Sequence, residues 1–332
     1  MTTKDVLKYG NDYVPTINDA PTSKFDEYET YSRKTIDSKI RGMQVSGGYD
    51  WTGRKIVFDG ESITKNETTG YPQYVGEQTG CNVVSVAQSG HCVAGNYVGK
   101  SYDFRIRVSG YPTDADAIII MGDCLSTLFI TSTSGCGDID SNTPDTWFGR
   151  WNLMLEAVKK SYPTVPIFLV AEFGQSVDKQ KTTYLVSTYF QQLARKWCCI
   201  YIDLPTESPL DLKYAPTVWG LTDTDSIHAS HEAMPLYADV IIRHLRQIPP
   251  FEFTGTDTIN ISESNVSVAV GATVELSVTK TGDLSTQWVS DNTDVACVMG
   301  GVVYGMAVGT ATIMATTRNG NTATCTVTVT ES

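Results

Sequence analysis

The run Lys55 to Thr64, KIVFDGESIT, carries strand character into Asp59-Gly60-Glu61-Ser62 and then breaks. A strand that ends in a glycine turn and presents a serine can display a nucleophile, and a serine that caps the start of a helix reads the same way. To act as a nucleophile, a serine hydroxyl needs a base, and the base needs an acid to orient it. Four histidines are available: His91, His228, His231 and His244. His244 sits late in an amphipathic helical pattern, where an imidazole suits the helix dipole. His231 opens the same pattern as a solvated residue. His228 differs, because it lies in the loop TDTDSIHAS, three residues after Asp225. A D-x-x-H step lets the carboxylate fold back onto one imidazole nitrogen while the other faces a neighbouring strand end. His91 and Cys92 have no metal-ligand spacing with Cys124, so neither a metal nor a cofactor is expected.

These residues need a scaffold that brings distant loops together. From 55 to about 247, five short apolar runs alternate with helical stretches: KIVFDG, NVVSVAQ, AIIIMG, PIFLVAE and CIYIDL. Their nearly continuous apolar character predicts strands buried on both faces of a parallel sheet. The helices are expected in NTPDTWFGRWNLMLEAVKKSYP, in DKQKTTYLVSTYFQQLARKW and in HEAMPLYADVIIRHL. Thr143 is expected to cap the first of them, with Pro144 in its first turn. The aromatic residues of 147–151 and 184–189 fall at helical spacing and read as core, and Cys198 and Cys199 read as the buried start of a strand. Strand-helix alternation implies helices on both faces of the sheet, with ligands at the carboxyl ends of the strands. Ser62 falls just past one such end.

Two further regions differ in texture. Residues 1–52 mix Pro, Asp, Tyr, Ser and Lys without a sustained period and read as an arm or attachment segment, with one short helix around SKFDEYETYSRKTIDSKI. The α/β region is placed at 53–247 and a linker at 248–256. Residues 257–332 then alternate in short strands between Gly and Asn turns, as a small all-β immunoglobulin-like sandwich does. That module has no histidine and reads as adhesive or architectural.

Composition narrows the partners. The chain has 332 residues, 41% of them hydrophobic and 19% charged, with a net charge of -12. Nucleic acid is excluded as a partner, because a phosphate backbone calls for clustered Lys and Arg. No apolar run is long enough to cross a membrane, and the N-terminus MTTKDVLKYGNDYVP lacks the apolar core of a signal peptide. The eight cysteines show no C-x-x-C pair and are expected as thiols. Cys297 and Cys325 are close enough in sequence to raise the question of pairing, and the thiol reading is preferred for them as well.

The segments at Ser62 and at Asp225/His228 resemble the first and last blocks of the SGNH (GDSL) esterase and lipase superfamily. The resemblance spans about residues 53–247. It implies a flavodoxin-like three-layer α/β/α sandwich that hydrolyses esters, often acetyl groups on carbohydrate. The family's G-D-S stands here as Gly60-Glu61-Ser62, with Glu in place of Asp, and makes Ser62 the nucleophile. VSVAQSGHCVAG resembles the second block, which implies that the Gly90 N–H joins the Ser62 N–H in an oxyanion hole. The closing D-x-x-H implies Asp225 as the orienting acid and His228 as the base. The third block, G-x-N-D in the family, stands here as Gly122-Asp123-Cys124-Leu125. Either Cys124 occupies the place of the oxyanion-hole Asn, or the loop is shorter and Asp123 is the remaining Asp. Loss of one oxyanion donor costs about 100- to 1000-fold in rate.

Two further likenesses bear on where such a protein works. GCGDIDSNTPDTWFG, Gly135 to Gly149, resembles a loop of SGNH members in bacteriophage and bacterial surface proteins. The C-terminal repeats of short strands resemble a bacterial immunoglobulin-like domain of group 2. Together they imply a virion or tail protein, made in a host cytoplasm, that acts on a bacterial cell-surface glycan. The alternative location is the bacterial cell surface itself. The N-terminal arm would bind other virion proteins and is compatible with a homo-oligomer. The alternative function is an SGNH-like domain that no longer catalyses and serves as a structural or host-surface-binding part.

Overall fold

The computed structural model describes residues 8–9, 12–13, 48–65, 70–90, 92–93, 104–122, 133–173, 179–208, 230–250, 252 and 255–331. The chain divides into two compact units, Met1–Gly47 and Gly48–Ser332. In the first, Lys8–Tyr9 pairs antiparallel with Asp12–Tyr13. The helix expected around residues 23–40 lies outside the described residues.

In the second unit all five apolar runs form strands: β1 (Lys55–Asp59), β2 (Asn82–Ser85), β3 (Ala117–Gly122), β4 (Ile167–Ala171) and β5 (Ile200–Asp203). They pair in the order β2-β1-β3-β4-β5, every pair parallel. That is the doubly wound, flavodoxin-like order, whose switch point lies between β1 and β3. Period-2 alternation splits each continuous apolar run between two cores. Val57, Ile118, Ile120, Ile167 and Leu169 face one cluster, and Ile56, Phe58, Ile119, Phe168 and Val170 face the other. The prediction of two-sided burial holds for β1, β3 and β4. The outer strands β2 and β5 are half-exposed, because a sheet edge has a neighbour on one side only.

Helices cover both faces as expected. On one face lie α4 (Trp147–Ser161) and α5 (Lys179–Trp197); on the other lie α2 (Tyr71–Thr79) and α7 (Met234–Leu245). One-turn helices among the described residues include α1 (Ser62–Lys65), α3 (Phe104–Arg107) and α6 (Leu204–Glu207). Helix α4 starts later than the sequence suggests. Thr146, not Thr143, is the N-cap, and its hydroxyl accepts the Gly149 N–H at 3.1 Å. Residues 143–145 instead fold over the first turn, where the Thr143 carbonyl occupies the space a side chain at Gly149 would need. Trp147 and Trp151 are core as expected, packed in tilted and edge-on contacts with Phe148, Tyr189 and Phe190. Tyr184 is not; it is 69% exposed on the outer face of α5.

Cys198 also departs from expectation. It is exposed, and its φ of 51° places it in the left-handed region. The Cys199 N–H reaches back to the Ala194 carbonyl at 2.9 Å, so Cys198 is the left-handed residue that ends α5 in a Schellman turn. Residues 48–52 join the α/β unit rather than an arm. The Trp51 ring is buried, its Nε1–H donating to the Leu245 carbonyl at 2.8 Å.

The C-terminal segment folds as the expected all-β domain. Its main sheet contains β10 (Thr286–Ser290), β13 (Gly309–Thr317), β14 (Thr322–Thr330) and β7 (Asn265–Ala269), in that order. A three-stranded sheet joins β8 (Thr273–Glu275), β12 (Val302–Gly305) and β11 (Ala296–Met299), and a ribbon pairs β6 (Thr258–Ile261) with β9 (Val278–Thr281). Cys297 and Cys325 are buried thiols on different sheets, with no disulfide between them.

Candidate active site

The turn after β1 is built by sterics. A Cβ on Gly60 would lie 2.3 Å from Thr64 Oγ1 and 2.9 Å from the Met121 carbonyl oxygen, so only glycine lets the chain leave the strand this close to β3. The Lys65 N–H then bonds to the Glu61 carbonyl at 2.9 Å, which makes Glu61 the N-cap of α1 and Ser62 its first helical residue. Ser62 is therefore not the capping residue. It is half-buried, directly past the carboxyl end of β1 and at the switch point of the sheet.

The loop after β2 follows the same turn. Val86 N–H bonds to the Phe58 carbonyl, and Gln88 N–H bonds to the Gly60 carbonyl at 3.1 Å. Two residues on, Gly90 takes a positive φ of 77°, with open space where a side chain would be. The structure thus brings the Gly90 loop alongside the turn that carries Ser62.

Asp225, His228 and Cys124 lie outside the described residues, as does His91. The described flank on the far side of Asp225 and His228 is informative. The Trp51–Leu245 bond ties the C-terminus of α7 to the amino end of the sheet. Twelve residues at about 1.5 Å rise carry the helix back across the sheet's length. Its first turns pack at the carboxyl end, where Tyr237 stacks on Phe173, with centroids 6.2 Å apart, and lies 6.4 Å from Tyr71. Ser230, two residues past His228, is buried at the approach to this helix. His244, set aside in the sequence, pairs instead with Glu207, Nε2 to Oε2 at 2.7 Å.

Sequence reasoning missed the polar floor of this site. Asp59, wholly buried, receives Arg107 Nε at 3.2 Å on both carboxylate oxygens, and Tyr111 OH donates to Oδ2. Burial, with the Asp59 charge beside it, pushes the Tyr111 hydroxyl well above the usual tyrosine range. Glu61 and Glu172 are also buried at the carboxyl ends of β1 and β4. Glu61 Oε1 lies 4.0 Å from where a Cβ on Gly122 would sit, so its carboxylate reaches across to the end of β3. Thr64 Oγ1 and Tyr71 OH share a buried hydrogen bond at 3.1 Å. One signal was readable: Asp59 is a charged residue closing an apolar strand, and such a residue needs a buried partner. Nothing in the sequence pointed to Arg107.

Comparisons with known proteins bear on each domain. Residues 256–327 match the bacterial Ig-like domain (group 2). No curated protein matches the chain. Among solved structures, one crystal structure superposes with a TM-score of 0.50 at 16% identity, covering 59% of this chain and 97% of its own. A protein assigned as an SGNH hydrolase from Slackia heliotrinireducens superposes at 0.41 with 15% identity, covering 58% and 98%. A mutant acetyl-xylooligosaccharide esterase from Geobacillus gives 0.41 at 17% identity, covering 62% and 98%. At its identity the first match speaks for the fold alone.

Proposed function

We propose that the α/β domain is a serine ester hydrolase of SGNH type. In this reading His228 takes the Ser62 proton, Asp225 orients His228, and an acyl-enzyme forms and is released by water. The observation that carries the reading is the position of Ser62: the first helical residue past β1, half-buried at the sheet's switch point, with the Gly90 loop alongside. A nucleophile there has a backbone N–H of its own and a neighbouring loop N–H to share an oxyanion. Short acyl groups, acetyl first, on a bacterial cell-surface glycan are the proposed substrate. A virion is the proposed setting, with the Ig-like domain and the N-terminal segment as its assembly or surface parts. The oxyanion hole would draw on Ser62, Gly90 and the segment at Cys124.

A second reading has an observation of its own. The third block carries Gly122-Asp123-Cys124 where the family has an Asn donor. A domain that lost this donor would bind surface glycan without turning it over.

Fluorophosphonate labelling of the full chain, mapped by mass spectrometry on wild type and His228→Ala, separates the two. A single adduct on Ser62 that disappears without His228 supports the hydrolase, and a panel of acetylated glycans then identifies the ester. No adduct, under conditions that label a control esterase, overturns it in favour of the binding reading.

A further inference from the structure

The connection from Phe104 to Asp116 grips β1, the strand that leads to Ser62, at both of its ends. At the start of β1, Asp116 Oδ2 accepts the Lys55 N–H at 2.8 Å, and the Asp116 N–H returns a bond to the Lys55 carbonyl at 2.7 Å. At its end, Arg107 and Tyr111 hold Asp59, three residues before Ser62. The Arg107 side chain is 4% exposed and that of Asp59 0%. A pair so buried has no water to replace a lost partner, so its geometry is strongly constrained.

The Ig-like domain sits directly on this connection. Arg318, in the β13–β14 hairpin, donates Nη1 to the Ala115 carbonyl at 3.0 Å and Nη2 to Asp116 Oδ1 at 2.7 Å. Gln287 Nε2 donates to the Ser109 carbonyl at 2.7 Å. Strand β11 packs on α3, and Met299 enters the core cluster that contains Val108 and Tyr111. Gly300, at φ 61°, backs onto α4 so closely that a Cβ would lie 2.6 Å from Ala157 Cα. Backbone-close packing together with part-buried directional bonds describes a fixed joint, not a tethered module.

We propose that Arg107 is a positioning residue for Ser62, and that the Ig-like domain keeps it in register. The C-terminal domain then belongs to the working esterase, whatever surface it also presents. This rests on the serine hydrolase reading above. The physical basis is leverage: a displacement of about 1 Å at a reacting group can cost about 100-fold in rate.

The test uses full-length variants and two readouts: the rate of fluorophosphonate labelling at Ser62, and amide hydrogen exchange in peptides covering 55–62 and 104–116. Arg107→Met is expected to slow labelling by roughly 10- to 100-fold, while Arg107→Lys, which keeps the charge, recovers part of the loss. Gly300→Val, which wedges the joint, and the double variant Gln287→Ala/Arg318→Ala, which removes its bonds, should both speed exchange in 104–116. Exchange in 55–62 should rise with it, and labelling should fall several-fold. If Arg107→Met does not fold, Arg107→Lys and the two joint variants decide. The proposal is overturned if both joint variants leave 104–116 protected. It is equally overturned if 104–116 opens while 55–62 and the labelling rate stay at wild-type values. A wild type that takes no label sinks the hydrolase reading, and the exchange data still report whether the Ig-like domain holds β1.

Discussion

At the scale of single residues, the site turns on two small residues. Ser62 stands as the first residue of α1, and the helix takes its cap from Glu61. Removing the Ser62 hydroxyl therefore leaves the helix its cap. Ser62→Ala is expected to lower ester hydrolysis by at least about 1000-fold, with a circular-dichroism melt that matches wild type. Full activity in that variant would remove Ser62 from the mechanism. Gly60 gives the complementary prediction. A methyl group there meets Thr64 Oγ1 at 2.3 Å and a backbone carbonyl at 2.9 Å, and the carbonyl has no room to retreat inside a paired strand. Gly60→Ala should cost about 1–3 kcal/mol in urea denaturation, and it should lower activity through displacement of Ser62 as well.

At the scale of elements, the helix ends differ in quality. Helix α4 has a good start, because the Thr146 hydroxyl accepts a first-turn N–H. Thr146→Ala is expected to destabilise the protein by about 1 kcal/mol, read as a lower denaturation midpoint at an unchanged slope. Helix α5 ends less well, since Cys198 adopts a left-handed conformation that a Cβ disfavours. Cys198→Gly relieves that strain at some entropic cost and should stabilise by about 0.5–1 kcal/mol. A loss of stability would mean that the Cys198 side chain makes a contact outweighing its backbone strain. The Lys159 bond to the Cys198 carbonyl, at 3.0 Å, uses the backbone and survives the change.

At the scale of the whole molecule, burial sets the response to alkali. Desolvation raises the hydroxyls of Tyr71, Tyr111 and Tyr162 far above the usual tyrosine range in the folded protein. In the unfolded chain they ionise near pH ~10. Above that value the unfolded state has released protons that the folded state still holds, so stability falls as pH rises. Each of these tyrosines contributes a slope of up to about 1.4 kcal/mol per pH unit over that range. Denaturant titrations from about pH 8 to 11, followed by tyrosinate absorbance, should show stability that is flat at first and then falls steeply. Stability that stays flat through about pH 11 would contradict the burial of these rings. The joint between the two domains belongs to this scale too, because Gly48 to Ser332 form a single compact unit.

Sequence alone was sufficient for the parts of this protein governed by local periodicity. Five apolar runs became five strands, three helical patterns became three helices, and the change of texture near residue 257 marked a change of fold. The glycine turn before Ser62 was legible because a glycine closing an apolar run is a local turn signal. Other features depend on what lies opposite in space, and they emerged only in the folded chain. Thr143 reads as the cap in sequence, yet Thr146 holds that place, because residues 143–145 fold over the first turn and the Thr143 carbonyl fills the space beside Gly149. Cys198 and Tyr184 fit core patterns and are exposed, since periodicity gives a face and not its neighbour. The pairing of Asp59 with Arg107, and of Arg318 with Asp116, joins residues far apart along the chain whose charges bear no sequence relation. Buried charges find partners through tertiary packing, so the register of β1 beneath the second domain was decided by the fold and not by the motif.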